Sequence, residues 1–95
     1  MPRYTVMVDD NFHYQDKEHR YEHGSFDTLD AAIAACRAIV ESSLAEQYRD
    51  GIKADELFSR YTGFGEDPYV VGGEGVPFSA WDYARERCAA LCGGA

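Results

Sequence analysis

Between Asp9 and Gly24 the chain reads DDNFHYQDKEHRYEHG. Asp9, Asp10, Asp16, Glu18 and Glu22 are interleaved there with His13, His19 and His23, the only histidines of the chain. Residues of these types support two kinds of chemistry: metal ligation through imidazole and carboxylate, and proton transfer between groups whose pKa values differ. The spacing completes neither. Asp9, Asn11 and His13 alternate like the opening of a calcium loop, but no glycine follows at the sixth position, and Arg20 stands where a bidentate glutamate is required. His19 and His23 have the separation of a helical metal pair, yet the segment reads as strand or loop. The three imidazoles converge only if the loop folds back, and no HExxH or CxxC accompanies them. Ordinary surface histidines are the competing reading.

The thiols raise a similar question. Cys88 and Cys92 share a helical face, and Cys36 joins them if the two long helices pack together. Three thiolates and a histidine make a zinc site, but structural zinc sites draw cysteine pairs from tight turns rather than from an apolar helix stripe. Buried spacers are the simpler reading, with Cys92, near the chain end, the most reactive. The histidines with Cys88 and Cys92 therefore define one functional alternative, a metal- or thiol-responsive protein.

Catalytic patterns are weaker still. Asp9 and Asp10 are adjacent and point to opposite faces of a strand. Glu66 and Asp67 precede Pro68 and read as solvated acids or turn caps. Ser79, His13 and Asp10 make a triad on paper, but Ser79 is needed as a helix cap and no nucleophile elbow surrounds it. GGEGVPFS lacks the GK[ST] of a phosphate loop, and Glu74 puts negative charge where an anion would sit. No catalytic residue, metal ligand or cofactor is assigned. The aromatics Tyr61, Phe64, Tyr69, Phe78, Trp81 and Tyr83 lie close together in sequence. Trp81 and Tyr83 point about 200° apart on a helix, so one lies at the rim near Arg85 or Arg87. Tyrosine beside arginine suits a protein interface. Asp10, His13, Tyr83 and Arg87 are the candidate partner-binding residues.

The elements that must position these groups are legible. RYTVMV (3–8) alternates, with Tyr4, Val6 and Val8 facing one way, and reads as a first strand. RYEHGSF (20–26) reads as a second, with a bulge or bend at Gly24. Asp27 or Thr28 caps a long helix in which Leu29, Ile33, Cys36, Val40 and Leu44 recur at helical spacing, ended at Gly51. Ala54, Leu57, Phe58 and Tyr61 predict a short second helix ended by Gly63 and Gly65. PYVV (68–71) predicts a third strand. Ser79 caps a last helix, with Asp82 as its capping partner, a Phe78–Tyr83 staple, and Trp81, Ala84, Cys88 and Leu91 as the buried stripe. The order β-β-α-α-β-α predicts one domain over 1–95. It is a two-layer α+β fold, a small three-stranded, mainly antiparallel sheet with helices on one face, and the expected strand order is 2-1-3.

Composition narrows the function. With 17 acidic and 9 basic residues the formal charge is −8. The lysines are Lys17 and Lys53 and the arginines are scattered, so no basic face exists to neutralise phosphates, which argues against nucleic acid and anionic lipid as partners. No apolar run reaches the ~20 residues of a membrane helix. The three cysteines form no framework spacing, and MPRYTV enters a strand without a signal-peptide core. The expectation is a cytoplasmic protein.

The runs VDDNFHY, FDTLDAAIAACR, FGEDPYV and VPFSAWDYAR resemble a group of short bacterial proteins of about this length, a likeness that covers nearly the whole chain. That group has no assigned activity, so the resemblance implies a bacterial one-domain protein and transfers no catalytic residue. The expected function is a small acidic protein-interaction module with a protein partner or a second copy of itself, a possible homodimer.

Overall fold

The structure, a computed structural model, describes residues 4–10, 20–72 and 78–92. Its elements are β1 (Tyr4–Asp10), β2 (Tyr21–Phe26), α1 (Leu29–Gln47), α2 (Ala54–Phe64), β3 (Glu66–Val71) and α3 (Ala80–Leu91). The fold is α+β, with the order β-β-α-α-β-α and an antiparallel sheet in which β1 lies between β2 and β3.

Alternation along β1 sorts the sheet into two faces. Val6 and Val8 are fully buried on the inner face, and Val70 and Pro68 of β3 stand opposite them. They pack with Ala32, Cys36 and Ile39 of α1, so the first half of that helix covers the sheet. The second half belongs to another cluster, in which Val40 and Leu44 meet Leu57 and Tyr61 of α2 and Ala80, Ala84 and Cys88 of α3. Phe78 touches both clusters. At 1.5 Å per residue, α1 is about 28 Å long, enough to serve both.

Local chemistry fixes the ends. The Thr28 hydroxyl caps α1 by accepting from the Ala31 N–H at 3.2 Å. Ser79 caps α3 through the Asp82 N–H at 3.4 Å, and the Phe78 and Tyr83 rings meet at a tilt across that start with centroids 5.8 Å apart. Two boundaries differ from the expected ones. α1 ends at Tyr48 rather than at Gly51, which instead takes a left-handed φ of 83° in the turn toward α2. α2 runs through Gly63 and stops only at Gly65.

The third strand starts two residues before its proline. Glu66 and Asp67, expected in a loop, pair with Asp10 and Asp9 of β1. Pro68 is tolerated inside the strand because β3 is at the edge of the sheet, where one row of N–H groups has no ladder partner to lose. On β2 the ladder steps from Gly24 to Glu22, leaving His23 as the extra residue of a bulge.

α3 differs in its buried stripe. Ala80, Ala84 and Cys88 face the core, while Trp81 and Leu91 are each 39% exposed. Small side chains at 80, 84 and 88 let α3 lie close on α1 and α2, and that rotation carries the indole outward.

Candidate functional site

Half of the histidines and carboxylates between Asp9 and Gly24 fall in 11–19, so the expected roles of His13 and His19 lie outside the described residues. His23 is described, exposed on the bulge of β2. Among the described residues no group of three or more His, Cys, Asp or Glu could hold a metal ion. Cys36 and Cys88 are buried, and burial pushes both thiols up to about 11, so little thiolate forms near neutral pH. Cys92 is partly exposed at the end of α3.

Three surfaces carry the remaining polar chemistry. The first centres on Glu66. Its backbone N–H donates to the Ser43 hydroxyl at 3.1 Å, its carbonyl accepts from the Tyr61 hydroxyl at 2.7 Å, and its carboxylate accepts from the Tyr21 hydroxyl at 2.5 Å. One residue thus ties α1, α2 and β2 to the first position of β3. Burial and the neighbouring carboxylate push the Tyr21 hydroxyl up to about 12, so it remains a donor. Asp10 stands opposite Glu66 in the ladder, half-buried. This is a structural clasp rather than a solvated loop acid.

The second surface is on the opposite face of the sheet. Arg20 grips Asp9 with two donors, Nε to Oδ1 at 2.5 Å and a terminal nitrogen to Oδ2 at 3.3 Å. The same guanidinium lies 5.9 Å from the centre of the Tyr69 ring. Asp67 faces Asp9 across the ladder. Among the described residues its carboxylate has no hydrogen-bonding or ion-pair partner. Burial, reinforced by the Asp9 charge, raises its carboxyl from 3.8 to about 6.

That shift predicts how stability depends on pH. The folded protein holds a proton on Asp67 up to about pH 6, whereas the unfolded chain releases it near 3.8. The stabilising contribution is therefore complete below the unfolded value and is lost as pH rises through the folded one. At neutral pH the charged form costs about 1–2 kcal/mol, after discounting the ~1.4 kcal/mol per pKa unit for partial solvent exposure. Asp67→Asn is expected to raise stability by that amount at pH 7 and to flatten the profile between about pH 4 and 6. Urea titrations across this range check it; a variant less stable than the parent at pH 7 refutes the account.

The third surface is the seam between α1 and α3. Arg87 Nε donates to Glu41 Oε1 at 2.6 Å, and Arg37 lies 5.6 Å from the centre of the Tyr83 ring. Farther along, Ala45, Tyr48 and Leu91 line an apolar depression of about 410 Å³ that Glu41 borders. A second depression of about 770 Å³ shares Tyr48 and Leu91 with Ile52 and Cys92. Tyr48 is 40% exposed and Leu91 39%. The chain matches no protein-family model, no curated protein and no solved structure.

Of the candidate partner-binding residues, the structure brings Tyr83 and Arg87 together on this seam. Asp10 is elsewhere, with α1 between: the helix turns Arg37 and Glu41 toward α3, while its Ile39 and Ser42 line a groove with Tyr21 and Glu66. The partners Arg37, Glu41 and Ala45 were not singled out from sequence. The i, i+4 spacing of these three residues on the flank of the apolar stripe was visible, but which helix lies beside that flank was not. Among the described residues no helix is long and apolar enough to cross a membrane.

Proposed function

We propose that this chain is a protein-interaction module that associates through the α1–α3 seam, and that the partner is a second copy of itself. The observation that carries the reading is the exposure of Tyr48 and Leu91 in one continuous apolar depression with a charged rim. An apolar centre with aromatic and arginine neighbours is the make-up of an interface, and exposed large side chains gathered in one place are more informative than scattered ones.

Charge supports self-association at this face. Two molecules of charge −8 repel each other, most strongly where carboxylates such as Asp9, Asp10, Glu66 and Asp67 gather at the end of the sheet. The seam carries Arg37, Glu41 and Arg87, a nearly balanced set. A two-fold axis there sets the same patch of both copies face to face, as an isologous interface requires. The resemblance to short bacterial proteins transfers no activity, so the proposal rests on this surface alone.

Light scattering after size exclusion tests it. The parent is expected at dimer mass at high micromolar concentration, and Leu91→Glu is expected to give a monomer with unchanged circular dichroism. A parent that remains monomeric, or a Leu91→Glu variant that remains dimeric, overturns the proposal.

A further inference from the structure

A separate pocket lies at the opposite end of α3, between its first turn and the edge of the sheet. It measures about 260 Å³ and is lined by Asp67, Pro68, Tyr69, Phe78 and Trp81 among others. We propose that this pocket is a binding site for an organic cation, an alkylated ammonium or guanidinium head held by the three aromatic rings and the Asp67 carboxylate.

Each wall fits that chemistry. The faces of indole, phenol and phenyl rings are negative, and a cation set among several of them is attracted to all. Tyr69 already accepts one cation near its ring, the Arg20 guanidinium. Trp81 meets Phe58 edge-on, with centroids 6.3 Å apart and planes at 90°, which holds the indole in place although it is 39% exposed. Pro68 contributes no N–H donor to the wall. Among the described residues Asp67 is the only carboxylate lining the pocket, and no cation pairs with it. A guest of positive charge supplies what the folded protein withholds from this group. A neutral or anionic guest does not.

The surroundings leave that preference intact. Among the described residues, the groups around Asp67 are Asp9 across the ladder, Arg20 already engaged by Asp9, the Tyr69 hydroxyl, and the Cys36 thiol from α1. The positive end of α3 also opens here, but its first turn carries Asp82 and the Ser79 cap, which offset it. Because burial and Asp9 hold the Asp67 carboxyl at about 6, cation binding must compete with the proton, and affinity rises with pH through that value.

Trp81 is the chain's single tryptophan, so its emission reports the pocket directly. Titration with tetramethylammonium chloride is expected to give a saturable change, on the order of millimolar, that neither sodium chloride nor the neutral isostere tert-butanol produces. Asp67→Asn is expected to weaken binding about tenfold and to abolish its rise between about pH 5 and 7. Tyr69→Leu is expected to weaken it several-fold with the pH dependence kept. A capped trimethyllysine residue distinguishes the sources: binding tighter than tetramethylammonium assigns the site to a protein side chain, and equal binding assigns it to a free small cation. The absence of a saturable response, an equal response to tert-butanol, or an Asp67→Asn variant that binds as the parent does overturns the proposal.

Discussion

Tyr61→Ala is expected to destabilise the protein by about 3–5 kcal/mol, the range for deleting a large aromatic from a core. Among the described residues Tyr61 is the largest of the fully buried side chains. Its ring sits in the cluster where α1, α2 and α3 meet, 6.5 Å from the Phe58 ring. Its hydroxyl also donates to the Glu66 carbonyl at 2.7 Å, so the substitution leaves both a cavity and an unpaired acceptor beside β3. A domain of 95 residues has a total stability of about 5–14 kcal/mol, so the variant loses a large share of it. Tyr61→Phe separates the two contributions and is expected to cost about 1–2 kcal/mol for the hydrogen bond alone. Urea denaturation followed by circular dichroism measures both; an alanine variant within about 1 kcal/mol of the parent contradicts the assignment of Tyr61 as the keystone of this cluster.

Gly65→Ala is expected to cost about 1–3 kcal/mol through overpacking. The backbone conformation there, φ −83° and ψ −175°, is open to any residue. What excludes a side chain is space: a Cβ at position 65 falls 2.6 Å from Tyr61 Cδ1 and 2.9 Å from the Tyr61 carbonyl oxygen. Gly63, two residues earlier, has nothing within 4 Å of a built Cβ. Gly63→Ala is therefore the control, expected to be neutral or stabilising by up to ~1 kcal/mol through helix propensity. Because one of the two obstacles at position 65 is the Tyr61 ring, the Gly65→Ala cost is expected to shrink in a Tyr61→Ala background without vanishing, since the carbonyl remains. Equal stability losses at positions 63 and 65 sink this account.

Much of this architecture was legible from the chain. Alternation at Tyr4, Val6 and Val8, the Thr28 and Ser79 caps and the 3.6-residue spacing of Cys36, Val40 and Leu44 are local signals, and local signals carry through to the fold. The strand order followed from a long helix placed between the second and third strands. What failed to read was set by neighbours. Glu66 and Asp67 look like loop residues because they are charged and precede a proline. They are strand residues because β1 offers Asp10 and Asp9 as ladder partners and because Ser43 and Tyr61 meet the backbone of Glu66. The stripe of α3 was placed one residue late, since Ala84 and Cys88 fit both phases and the bulk of Trp81 outweighed the smallness of Ala80. That error concealed the pocket, whose aromatic wall requires Trp81 to face outward. The α1–α3 seam was half visible: Tyr83 and Arg87 stood out, whereas Glu41 and Tyr48 acquire meaning only from the helix beside them.

The two rims of the sheet bear on how this molecule meets its own kind. His23 adds a residue to β2 and so kinks and twists that rim, while Pro68 removes a donor from the rim of β3. Neither presents the straight, fully equipped template on which a foreign strand nucleates. Growth of the sheet from molecule to molecule, the route toward fibres, is thereby obstructed on both sides.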